Sequence, residues 1–223
     1  DARLAAVWTL HAVRPAWTGY ETQKFVSARD VFEQQLHSGE PAIRAWSIKF
    51  IAQEIPGIVS IMSQGRPWEA GYPANFLSHL ATLASDPDPR VQLAVATTCR
   101  GLISSSLTVD ADINCGVPVG KALTTLIKSS ADGKDPLLPF MIWMAWAPLV
   151  AQNPAPALEW LVENASITKP LSEKLTYKVM RRICDTGQTT NMNHVVALLT
   201  AIADKDTSPA LAALDGSIEG QKA

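Results

Sequence analysis

The sequence predicts an all-α fold, an α-solenoid of about five stacked helical hairpins, and three observations predict it. Apolar residues recur with helical spacing along the whole chain, and no stretch alternates strictly with period two. Proline repeatedly follows a capping or acidic residue. Three of those prolines, Pro41, Pro89 and Pro136, are nearly equidistant along the chain.

The elements follow in order. Leu4, Val7, Trp8 and His11 repeat at i, i+3, i+4 and i+7 and place a helix over 2–14, with another over 21–37. A third spans 40–54: it starts at Glu40-Pro41 and carries Ile43, Trp46, Ser47, Phe50 and Ile51 on one face. Phe76, Leu77, Leu80 and Leu83 lie in a helix over 73–85. Asp88-Pro89 opens 88–104, whose apolar face is Val91, Ala94, Val95, Thr98 and Leu102. Leu123, Leu126 and Ile127 belong to 117–130, and Asp135-Pro136 starts 136–151. Asn153-Pro154 starts 154–165; helices over 170–186, 191–203 (Val195, Leu198, Leu199, Ile202) and 208–219 (from Ser208-Pro209) complete the chain.

The prolines have a physical reason. Inside a helix proline removes a hydrogen bond and clashes, whereas at the first helical position its missing N–H costs nothing. Asp, Asn and Ser before it accept bonds from the free amides of the first turn, and carboxylates also suit its positive dipole end. Aligning the starts puts Ile43 opposite Val91 and Leu138. Two helices per unit of that length is the pattern of hairpins that shelter one another's apolar faces. Two long connections remain, Pro56–Tyr72 and Ser105–Gly116 (loops 56–72 and 105–116), which serve either partner contact or plain insertion tolerance.

Composition bounds the function classes. The chain has 223 residues, 47% apolar and 18% charged, which allows a sizeable core and a single domain over 1–223. Lys plus Arg number 19 against 21 Asp plus Glu, scattered along the chain, so no nucleic-acid partner is expected. The uncharged run Leu137–Val150 is shorter than the ~20 residues a membrane span needs and holds Pro139 and Pro148. It reads as a helix buried on most sides, and no transmembrane segment is expected. The start DARLAAVWTLHAV has no signal-peptide pattern, and both ends suggest a piece of a longer polypeptide.

No arrangement of reactive groups emerges. There is no G-x-S-x-G, S-x-x-K or Gly-rich phosphate loop. His11, His37, His79 and His194 are far apart in sequence; His11 reads as packed on an apolar helix face, and His79 as packed on or at the edge of another. Cys99 and Cys184 fall in apolar helical patterns and Cys115 in a polar loop, with no C-x-x-C spacing. Asp86, Asp88 and Asp135 are explained as caps; Asp110 and Asp112 lack the further oxygen ligands of a calcium loop. Catalytic, cofactor and metal residues are therefore expected to be none. Trp8, Trp46, Trp143 and Trp160 sit on periodic apolar faces and read as core. The candidate partner-binding residues are Trp17 and Trp68, in loops, and Arg181 and Arg182, which with Lys174 and Lys178 form a basic stripe. That stripe has a simpler reading as a solvated face suited to a helix C-terminus.

The segment SDPDPRVQLAVATTCRGL (85–102) resembles a HEAT-type helix-pair junction, and ARLAAVWTLHAV and GEPAIRAWSIKFIAQE resemble second helices of such pairs. The ordered series RLAAVWTLHAV, DPDPRVQLA, DPLLPFMIWMAWAPL and YKVMRRICDTG resembles the helical middle region of large bacterial membrane-bound dehydrogenases with a PVC-type haem-binding (cytochrome c) domain. The resemblance covers essentially the whole chain. It implies HEAT/armadillo-like hairpins between a sugar-dehydrogenase-like propeller and a haem c module, in an exported, periplasmic or envelope-associated parent. Neither the propeller nor C-x-x-C-H occurs in these residues, so no catalytic or haem-binding residue carries over. The expected role is a non-catalytic interaction and scaffold module for a protein partner or neighbouring domains. The alternative is a structural part of the enzyme that contributes substrate or acceptor contacts.

Overall fold

The computed structural model describes residues 2–12, 28–62, 71–106, 116–130, 135–164, 170–187, 189–203 and 207–222. Among them every regular element is an α-helix: α1 (Ala2–Ala12), α2 (Ala28–Gln35), α3 (Pro41–Met62), α4 (Gly71–Leu83), α5 (Pro89–Ser106), α6 (Gly116–Ser129), α7 (Leu138–Gln152), α8 (Ala155–Glu163), α9 (Pro170–Asp185), α10 (Thr189–Ala203) and α11 (Thr207–Gly220). The all-α prediction holds, and each predicted helix has its counterpart. Two compact units are present, Asp1–Leu126 and Ile127–Ala223, with the division inside α6.

In the first unit α3 packs along α5 and α1 against α3, while α2 leans on α3 and α4 on α5. Helices two apart in sequence are thus neighbours. The starts of α5 and α7 use the predicted chemistry. Asp88 Oδ1 accepts from Arg90 N at 2.9 Å, and Asp135 Oδ1 accepts from Leu137 N at 2.7 Å and Leu138 N at 2.9 Å.

The α2–α3 and α4–α5 junctions repeat one another in the register that carries Pro41 onto Pro89. Leu36, His37 and Ser38 donate from their amides to the carbonyls of Phe32, Gln34 and Gln35; Ala84, Ser85 and Asp86 donate to those of Leu80, Thr82 and Leu83. Ile43 N and Arg44 N then donate to Glu40 O, as Val91 N and Gln92 N do to Asp88 O. A side chain closes each turn: Arg44 Nη1 donates to Ser38 O at 2.7 Å, and Gln92 Nε2 to Asp86 O at 2.8 Å. Buried positions match as well, with Phe32, Leu36, Ile43, Ile48 and Ile51 equivalent to Leu80, Ala84, Val91, Ala96 and Cys99. One interaction ties the two junctions together. Arg44 binds Asp86 through two nitrogens of its fork, at 2.8 and 2.9 Å, and Asp86 also accepts from Asp88 N.

In the second unit α9 packs on α7 and most extensively on α11, while α8 and α10 form the other pair, with α10 also touching α9 and α11. The α9–α11 contact is backbone-close because α11 buries Pro209, Ala213, Gly216, Ser217 and Gly220, a stripe of small residues. Ser208 Oγ donates to Glu173 Oε1 of α9 at 2.7 Å, pinning the start of α11. Helix α9 ends where Gly187 takes φ +61°, a left-handed geometry glycine adopts freely, and donates to Cys184 O.

Three expectations are corrected. Helix α3 runs through Pro56 to Met62, so the first part of the expected 56–72 connection is helical. Proline there removes one bond of the ladder and crowds the carbonyl four residues before it, a local cost that does not end the helix. Residues 63–70 lie outside the described residues, as do 107–115 of the other expected connection. Helix α7 is buried along one stripe, Leu138, Ile142, Ala145, Trp146 and Val150, while Phe140 on the same helix and Leu137 just before it are more than half exposed, so it is not covered on most sides. Trp8 is 43% exposed rather than core, because α1 lies at the margin of its unit and turns that ring across Trp46.

Candidate functional site

Helix α1 presents two faces to its neighbours. One carries Trp8 and His11 onto α3, where an aromatic cluster forms: the Trp8 and Trp46 centroids are 4.2 Å apart, and His11 stacks on Phe50 at 3.9 Å and 10°. Phe32 of α2 closes the cluster at 5.3 Å from Phe50. Lys49 Nζ lies 4.5 Å from the Trp46 ring centre, a cation–π contact. These rings hold α1 in place.

The other face of α1, with Arg3, Ala6, Val7 and Leu10 at helical spacing, lines a cleft of about 530 Å³. Its far wall is Val31, Gln34 and Gln35 of α2, its rim is His37, Ser38 and Gly39 of the first junction, and Ile43 forms the floor. The lining mixes apolar surface with amide, imidazole and guanidinium groups. Such a cleft can hold an extended or helical segment by its apolar stem and orient it through hydrogen bonds. Sequence reasoning missed it, because it forms from three elements whose mutual placement no local pattern encodes. In the second unit, a cavity among Trp160, Leu161, Thr176 and Leu198 is only about 10 Å³, room for one water at most.

At the cleft rim, His37 meets His79 of α4: the rings are edge to face with centroids 5.6 Å apart, and both side chains are exposed. The sequence reading separated these histidines, and it packed His79 on or beside an apolar face; the fold brings the pair together at the surface. No local pattern signals the pairing: the register that carries Pro41 onto Pro89 carries His37 onto Ser85 and His79 back onto Val31. Among the described residues no group of three or more His, Cys, Asp or Glu converges.

The remaining candidates fall as follows. Trp17 and Trp68 lie outside the described residues, as do Cys115, Asp110 and Asp112. Arg181 and Arg182 are exposed on the last turns of α9, and Arg182 Nη1 reaches Asp185 Oδ2 at 3.6 Å. Lys178 of the same stripe places its ammonium 5.6 Å from the centre of Trp143 on α7, so the stripe is partly spent on intramolecular contacts. Trp143 and Trp160 are half-buried, and Trp160 meets the buried Trp146 edge-on at 5.8 Å. Cys99 is fully buried, and burial pushes its thiol up to about 12. Burial also raises Cys184, against a hydrogen bond with Ser217. Neither is a poised nucleophile. Asp88 is held below the usual carboxylate range, first by its side-chain bond with Arg90, whose guanidinium it meets at 2.8 and 2.9 Å.

No helix of the described residues is long and apolar enough to cross a membrane. No protein-family profile, curated protein or solved structure matches the chain.

Proposed function

We propose that the chain is a non-catalytic protein-interaction and scaffold module built from stacked helical hairpins, and that the α1–α2 cleft is its principal contact surface. The observation that carries this reading is the duplicated junction: the same turn, closing side-chain bond and buried positions recur in α2–α3 and α4–α5, tied by Arg44 and Asp86. Packing between helices two apart in both units supports it. Repeated hairpins derive stability from their neighbours, which leaves ridged outer surfaces available for partners. The ordered motifs that resemble the helical region of haem-linked dehydrogenases support a role in spacing or docking the domains of a larger redox protein.

Two experiments test this. Excising Pro41 through Asp88 joins Glu40 to Pro89 and removes one unit in register. The shortened chain is expected to stay helical and unfold cooperatively, and a chain that does not fold would refute the repeat. For the function, a photo-crosslinking residue at Leu10 or Gln34 in the parent polypeptide should give one discrete cross-linked species. The same residue at the exposed Glu159 should not. Equal, diffuse cross-linking at all three positions would remove the cleft as the contact surface.

A second reading, a structural part of the enzyme that supplies substrate or acceptor contacts, is favoured by the cleft's volume, which lies within the ~300–1,000 Å³ of small-molecule sites. Haem or quinone titration of the chain decides for it if the spectral change is saturable.

A further inference from the structure

We infer that His37 and His79 form a two-histidine site for a late first-row divalent cation, of the zinc, nickel or copper class, that clamps the first hairpin junction to α4. The argument is geometric. A metal bound to a ring nitrogen at ~2.0 Å lies ~3.2 Å from that ring's centre, so two imidazoles on one tetrahedral ion have centres ~5.2 Å apart. The His37 and His79 centroids are 5.6 Å apart, close to that separation. In the edge-to-face arrangement at 79° one ring presents its face to the edge of the other, so a shared ion requires an imidazole to turn about its Cβ–Cγ bond, and the solvent exposure of both side chains leaves room for that rotation.

The chemistry of the donors selects the metal. Neutral imidazole suits zinc, nickel and copper, whereas magnesium and calcium require oxygen donors. Both side chains are exposed, so water can complete the coordination shell. Two protein ligands rather than three or four make the expected binding weaker than that of a closed structural site. The ligands come from different elements: His37 follows α2 and His79 lies on α4. A bound ion therefore crosslinks segments that are otherwise tied here by Arg44 and Asp86, and it stabilises the folded state by binding it in preference to the unfolded chain. The inference is independent of whether the adjacent cleft receives a protein.

The test is isothermal titration of the full chain with zinc and with nickel salts, with magnesium as control, on the parent protein and on His37→Gln, His79→Gln and the double variant. Glutamine is of similar length and uncharged at these exposed positions, and His11 and His194 remain in every variant. The expected result is one equivalent bound by the parent. Each single variant should weaken binding at least tenfold, because removing one arm of a chelate removes the chelate, and the double variant should bind no more tightly than either single. Free metal at a hundredfold excess over the dissociation constant should lower the unfolding equilibrium constant about 100-fold in the parent alone. Absence of saturable binding, or binding that survives either single substitution, overturns the inference.

Discussion

Replacing Gly216 by Ala and, separately, Gly101 by Ala should move stability in opposite directions. A Cβ at Gly216 would run into the Tyr177 carbonyl, with the carbonyl carbon at 3.0 Å and Met180 Cβ at 3.1 Å. The obstacle is backbone of α9, which cannot rotate aside, so the two helices must part. A radial gap of up to ~1 Å forfeits roughly a quarter to a half of the dispersion well for each contact it opens. Overpacking costs about 1–3 kcal/mol, and a backbone clash belongs at the upper end. Alanine returns about 1 kcal/mol of helix propensity, leaving a net loss of about 2 kcal/mol. At Gly101 a Cβ meets nothing within 4 Å, so only the propensity gain of about 1 kcal/mol remains. Urea unfolding followed by circular dichroism measures both, and the Gly216 variant should melt roughly 4–8 °C lower than the parent. A Gly216→Ala protein as stable as Gly101→Ala would show that α9 and α11 do not approach as described.

Two other outcomes follow from single positions. Ser47 is fully buried on α3 with its hydroxyl unpaired, and its equivalent on α5, in the register that carries Pro41 onto Pro89, is the buried Val95. Ser47→Ala removes that desolvated hydroxyl and should stabilise by about 1 kcal/mol, and Ser47→Val should do at least as well; a loss in both variants would count against the shared register. Asp88 has a folded-state pKa below its unfolded value, so the stability it supplies is present above about pH 4 and is lost as pH falls through the lowered value. Asp88→Asn retains an oxygen to accept from Arg90 N but should flatten the acid limb of a stability–pH curve; an unchanged limb would refute the assignment.

The chain's own residues determine much of this protein. Helix starts, the apolar faces from Ile43 to Ile51 and from Val91 to Leu102, and the regular spacing of Pro41 and Pro89 were all legible, because caps and i→i+4 bonds act within one turn of chain. Burial of Cys99 and Cys184 was legible for the same reason. A proline in the helix interior was misread as an end at Pro56, although its cost is local and α3 runs through it.

Tertiary structure alone decided which faces meet. It brought His37 to His79 and Arg44 to Asp86, opened the cleft between α1 and α2, turned Trp8 outward, and set α11 against α9 at glycine distance. Periodicity states that a face is apolar, but not which neighbour covers it or how far it is covered. Those outcomes depend on how separate helices are placed against one another, which no single turn of sequence encodes.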